Sequence, residues 1–181
     1  MRRILFLFVL SLGALAASAA TLERLSLEEM AARSTSIVRA KAISSSTAFI
    51  GSTIYTRTKF QVLERWKGPE SSQVEVTEPG GAVGRTTQTY SGVPRFSPGQ
   101  EMVLFLWTGP SGRTQVIGLS QGVFEVTRSA STEEVGVSRQ PSGETMLAPG
   151  TGQPVQEETI SMPLRRMVSR IRSAMERDRQ K

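Results

Sequence analysis

The sequence predicts a mainly β domain, a small β-barrel or sandwich, with a short N-terminal helix and a C-terminal amphipathic helix. Three observations lead there. In the run Thr53–Trp66, Ile54, Thr56, Thr58, Phe60 and Val62 fall on one side and Tyr55, Arg57, Lys59, Gln61 and Arg65 on the other. Period two over so long a run marks a half-buried strand. Met102-Val-Leu-Phe-Leu-Trp107 is apolar at every position and fits a central strand covered on both faces. Short strand-like runs separated by Gly and Pro turns fill most of the rest, and helical spacing is confined to the two ends.

Taken in order, Ser26-Leu-Glu-Glu29 is a capping box, and Leu27, Met30 and Ala31 follow at helical spacing, so a helix is expected over about Leu27–Arg33. Ser36 to about Ala48 and Thr53 to Trp66 flank Gly51-Ser52 and predict a long hairpin, which Lys67-Gly68-Pro69 ends. Gln73–Thr77 is a short strand closed by Glu78-Pro79-Gly80-Gly81, and Thr86–Tyr90 is a further candidate. Val93–Gln100 is a structured loop before the central run. Gly109-Pro110-Ser111-Gly112 turns the chain into Thr114–Leu119, and Gly122 precedes Val123–Thr127. Residues 129–160 are rich in Ser, Thr, Glu, Gly and Pro and are expected as a weak outer hairpin, with Glu133–Ser138 as one arm, or as a mobile loop. Pro163 then opens a helix whose Leu164, Met167, Val168, Ile171 and Met175 form one stripe. The expected units are therefore residues 1–20, a β domain over 21–128, the polar stretch 129–160 and a basic helix over 161–181.

Residues 1–20 have the three parts of a secretory signal: Arg2 and Arg3, an apolar run from Ile4 to Ala17, and small residues with Ala17-Ser-Ala19 at the cleavage pattern. The run is shorter than the ~20 residues of a membrane span. The expected location is therefore the periplasm or the exterior, with cleavage near Ala19 or Ala20 and no transmembrane segment afterwards. The chain has no Cys, hence no lipid-modified N-terminal cysteine and no disulfide, and the exported domain must be held by its core. Arg outnumbers Lys 18 to 4, which fits a GC-rich bacterial genome.

The chain also lacks His and Asn, and its single Asp is Asp178. Without His or Cys there is no Ser-His-Asp triad, no Cys-His dyad and no ordinary zinc site. No S-x-x-K or G-x-S-x-G motif is present. The strand-associated carboxylates Glu64, Glu75, Glu78, Glu101 and Glu125 show no spacing that signals the pair a glycoside hydrolase needs. No enzyme, metal or cofactor is expected. The net charge of +6 belongs to the ends: residues 164–181 carry +5, while residues 20–163 carry −1.

Ile37-Val-Arg-Ala-Lys-Ala42, Tyr55-Thr with Phe60-x-Val-Leu-Glu-x-x-Lys67-Gly68, Pro79-Gly-Gly81, Pro94-Arg-Phe-x-Pro-Gly99 and Gly118-Leu-x-Gln-Gly-x-Phe-Glu-Val126 stand in this order. The array resembles a family of exported bacterial proteins of unassigned function and covers most of residues 26–126. Residues 36–80 are also similar to netrin-type modules and tissue inhibitors of metalloproteinases, which implies an OB-like barrel. Those inhibitors use an N-terminal cysteine and several disulfides, which this chain lacks, so only the barrel carries over.

Two surfaces are candidates for binding. Arg39, Lys41, Arg57, Lys59 and Arg65 should point away from the core and form a cationic hairpin face able to meet phosphates or an acidic polysaccharide, or else a solvated face balanced by Glu. Tyr55 alone is placed for base stacking, and export argues against nucleic acid as a partner. The loops carrying Pro79, Gly80, Gly81, Arg95 and Phe96 are the candidate contact for a protein partner. Trp107, at a strand end beside a turn, is the aromatic expected to show at the surface. The terminal helix, with Arg165, Arg166, Arg170, Arg172, Arg177 and Arg179 around its stripe, is expected to dock on the barrel, with a membrane surface or a partner as the other readings. The function these features suggest is an exported, non-catalytic binding module for a protein partner, in one version an accessory or inhibitor of an exported protease. The alternative is a binder of polyanions or the cell-envelope surface.

Overall fold

A computed structural model describes residues 21–128, 134–157 and 159–180. The signal peptide expected over residues 1–20 lies outside the described residues, as does part of the polar stretch. In chain order the elements are β1 (Thr21–Glu23), α1 (Leu27–Arg33), β2 (Ser36–Ile50), β3 (Thr53–Lys67), β4 (Gln73–Pro79), β5 (Gly81–Val83), β6 (Thr86–Gln88), β7 (Glu101–Thr108) and β8 (Thr114–Val116). A 3₁₀ turn over Leu119–Gly122 leads to β9 (Val123–Arg128), β10 (Val135–Arg139), β11 (Thr145–Leu147), β12 (Pro154–Val155), β13 (Ile160–Pro163) and α2 (Leu164–Arg179). The protein is mainly β with one short N-terminal and one C-terminal helix.

The main sheet runs β13-β10-β9-β7-β2-β3-β4, antiparallel at every step, with β8 also pairing β7. The alternation of β3 sets its two faces: Thr58 and Phe60 are buried while Arg57, Lys59 and Gln61 are exposed. Register shifts in β2 at Ile37/Val38, Arg39/Ala40 and Ala42/Ser44 bend that strand. Such bulges raise local twist and let a sheet curl. Four antiparallel steps from β4 through β3, β2 and β7 to β8 leave β4 and β8 running in the same direction. The Val116 N–H donates to Glu78 Oε1 at 2.6 Å across the gap between them. No ladder joins these two strands among the described residues. The result is a partly open barrel with one seam.

Two apolar clusters lie on opposite faces of the sheet. Val38, Ala40, Phe60, Val76, Leu104 and Leu106 fill the barrel. Ile37, Val103, Phe105 and Phe124 form the other face, under Leu27 and Met30 of α1 and Leu164, Met167 and Ile171 of α2. Strand β7 contributes alternately to both, which is why it reads as an unbroken apolar run. The helices are fixed locally. Ser26 Oγ accepts from the Glu29 N–H and the Glu29 carboxylate accepts from the Ser26 N–H, completing the capping box. Lys67 Nζ donates to the Ala31 and Ala32 carbonyls at 2.8 and 2.9 Å, closing the other end of α1. Arg170 of α2 meets Glu28 through two bonds of 2.8 Å. The terminal helix docks on its own domain, and no helix among the described residues is long and apolar enough to cross a membrane.

The arm expected over Glu133–Ser138 is strand β10 (Val135–Arg139), paired antiparallel with β9; it is not outermost, because β13 pairs its other edge. Val137 and Arg139 are buried on one face, which anchors a segment whose polar neighbours disguise it. Strands β11 and β12 form a small sheet with β1. Gln121 pins the chain start to this region: its Oε1 accepts from the Leu25 N–H at 2.8 Å and its Nε2 donates to the Glu23 carbonyl at 3.0 Å.

Candidate functional site

The five hairpin cations do not act as one patch. Arg39 is 14% exposed and is held between Glu64 and Glu101, and Glu101 also binds Arg128 at 2.8 Å. This row of alternating charges crosses four neighbouring strands. Burial alone would lower the pKa of Arg39, yet the two carboxylates win and raise it. Arg65 donates to Ser36 Oγ and the Ser71 carbonyl, at 2.9 and 3.0 Å. Lys41, Arg57 and Lys59 stay exposed, and Lys59 stands opposite Glu75 in the ladder.

The loop residues, by contrast, converge at the end of the barrel where the seam opens. Pro79 and Gly80 end β4, and the Gly80 carbonyl accepts from Thr56 Oγ1 at 2.7 Å. Gly80 has φ +95°, and a Cβ there would strike the Arg95 guanidinium and the Gln88 carbonyl, so only glycine permits this approach. Arg95 Nη1 donates to Thr56 Oγ1 at 3.2 Å while the side chain remains exposed. Gly81 opens the small hairpin, and its Cα faces Thr47 and Thr56. Phe96 turns inward and meets Phe60 edge-on, ring centroids 5.0 Å apart, so it closes the barrel instead of presenting a surface. The Gly99 N–H donates to the Ala42 carbonyl and the Ala42 N–H to the Gln100 carbonyl, which ties this loop to the bent part of β2.

Between these loops and β8 sits Glu78, 2% exposed. Its Oε1 takes the Val116 N–H, and its Oε2 has no hydrogen-bond partner among the described residues. Burial pushes its carboxyl up to about 7, against the opposing pull of the Val116 N–H and of Arg95. The other candidate carboxylates are not gathered here. Glu64 and Glu101 are bound to Arg39, and Glu75 and Glu125 lie exposed on β4 and β9.

Three groups at this end were not singled out as contacts in the sequence. Tyr90 is 42% exposed and its ring lies beside Gly80. Arg113 stacks over Tyr55 with the guanidinium carbon 5.3 Å from the ring centroid. Glu78 is the third, and its burial has a signal: Val74, Val76 and Glu78 alternate, so parity sends all three inward. Tyr90 and Arg113 have no such signal, because their neighbours come from distant turns. No family model matches the chain, and neither a curated protein nor a solved structure matches it.

Proposed function

We propose that the protein is an exported, non-catalytic binding module that recognises a protein partner through the loops at the seam end of its barrel. The observation that carries this reading is the exposed set Tyr90 and Arg95 around Gly80, with the Tyr55–Arg113 stack beside Pro79. Tyr and Arg dominate the binding energy of protein interfaces when a rigid base holds them, and here Thr56 and a glycine approach fix Arg95. The strand order and the unsealed β4–β8 gap support an OB-like barrel, and export rests on the pattern of residues 1–20. Lack of His and Cys supports a non-catalytic role. An accessory or inhibitor of an exported protease is the concrete version, by analogy of fold alone.

The test is gentle crosslinking of the exported fraction followed by copurification. A partner is expected with the wild-type chain, and Tyr90→Ala with Arg95→Ala should cut its recovery about tenfold or more, since each hot-spot side chain is worth ~1–2 kcal/mol or above. Recovery of no protein, with retention on heparin that falls steeply with salt, would instead support the polyanion reading through Lys41, Arg57 and Lys59.

A further inference from the structure

The seam between β4 and β8 opens into a cavity of about 630 Å³ that reaches the end of α1. Four elements each contribute one chemically distinct side chain: Glu78 from β4, Trp107 from β7, Gln115 from β8 and Arg33 from α1, with Val116 and Leu119 between them. Glu78 brings to the lining a buried oxygen that has no hydrogen-bond partner among the described residues. A buried acceptor left in that state favours any ligand that donates to it.

Trp107 is placed independently of Glu78. Its ring folds back on Gly109, where an added Cβ would sit 2.7 Å from Trp107 Cη2. The backbone thus holds the ring as a fixed platform that is still 42% exposed. Gln115 is the ladder partner of Trp107 and shares its face of the sheet. The described lining carries the Arg33 guanidinium and the Glu78 carboxyl, which burial leaves partly protonated at neutral pH, so Arg33 and the nearby Arg95 discourage a cationic guest. A flat apolar ring, a mixed acceptor and donor (Gln115), a donor fork (Arg33) and a carboxyl (Glu78) suit a neutral molecule with an apolar face and a dense rim of hydroxyls.

We propose that the seam cavity binds a neutral saccharide of one or two rings, stacked on Trp107 with its hydroxyls shared among Glu78, Gln115 and Arg33. The site is separate from the Tyr90–Arg95 surface and does not depend on the protein-partner reading.

The experiment is an NMR titration of the full mature chain labelled with nitrogen-15. The chain has two tryptophans, and Trp107→Phe assigns their indole N–H signals. Cellobiose, maltose and N,N′-diacetylchitobiose are the probes. With at least one of them the Trp107 signal should move saturably while that of Trp66, packed beside the helices, stays still. Arg33→Ala and Gln115→Ala should each weaken binding about tenfold, the worth of one well-placed polar contact. Gly109→Ala, which displaces the ring but removes no hydrogen-bonding group, should weaken it too. Tyr90→Ala should leave it unchanged, so loss of partner capture and loss of sugar binding are told apart. A stationary Trp107 signal with all three sugars overturns the proposal. So does a shift that survives both alanine variants, or one produced only by a peptide probe such as N-acetylglycine methylamide.

Discussion

Ile171→Asp is expected to leave the whole domain unfolded at neutral pH, although Ile171 lies in the basic terminal helix and not in the barrel. Ile171 is fully buried in the cluster that also holds Met30, Phe105 and Phe124. Removing its side chain forfeits ~1.5–3 kcal/mol of burial. An unpaired carboxylate in its place costs several kcal/mol more. The sum rivals the ~5–15 kcal/mol that holds a domain of this size together. Arg172→Glu, one residue on and exposed, should change stability by less than about 0.5 kcal/mol. Urea melts followed by circular dichroism distinguish the outcomes. A cooperative barrel transition that persists in Ile171→Asp would mean that α2 is an appendage free to serve a membrane or partner.

The second large effect concerns pH. Glu78 is raised to about 7 in the folded chain from an ordinary 4.5, with burial as the leading cause. A carboxyl raised on folding binds its proton more tightly in the native state. Its favourable contribution is complete below about pH 4.5 and is lost as the pH rises through about 7. Over that window the barrel should lose up to about 3 kcal/mol from this group alone. Glu78→Gln keeps an acceptor for the Val116 N–H but never ionises. Relative to wild type it should be more stable at pH 8 by that order and equal near pH 4. Glu28 and Glu29 are both lowered on folding, by Arg170 and by Ser26 respectively, so they tilt stability the other way at acid pH. They are common to both chains and cancel in the comparison. A wild-type minus Glu78→Gln difference that stays flat from pH 4 to 8 would show that the seam carboxyl is solvated.

These effects depend on placements that the sequence reveals unevenly. Local chemistry is legible: the Ser26–Glu29 box sets α1 at Leu27–Arg33, and Gly51-Ser52 turns β2 into β3. The stripe in α2 is legible too, with Leu164, Met167 and Ile171 buried and Ala174 beside them. Parity also tells inner from outer over residues 57–61 of β3, while on β4 Thr77 is buried between Val76 and Glu78 against the alternation. Non-local register is hidden. Three shifts along β2 decide that Arg39 meets Glu64 and Glu101 instead of solvent, and no spacing in the chain announces them. Lys67 reads as the end of a hairpin, yet it caps a helix 35 residues away because the fold brings β3 under α1. The arm at Glu133–Ser138 is legible as a strand, but its place between β9 and β13 is not, because its burial rests on Val137 and on Arg139, a residue type that normally stays outside.

Much of the family-like pattern is therefore architectural. Lys67 serves α1, Phe96 fills the barrel, and Gln121 in the Gly118–Val126 segment clamps the start of the chain. Tyr90 and Trp107 at the seam end are both well exposed, and they are the side chains that the proposed recognition has to draw on.

The most direct measurement places a photo-crosslinking amino acid at position 90 in one chain and at position 172, on the outer face of α2, in another. Irradiation during export in the native cell should join a protein to position 90 and nothing to position 172. Adducts at position 172 with none at position 90 would contradict the claim that the seam end of the barrel is where this protein meets its partner.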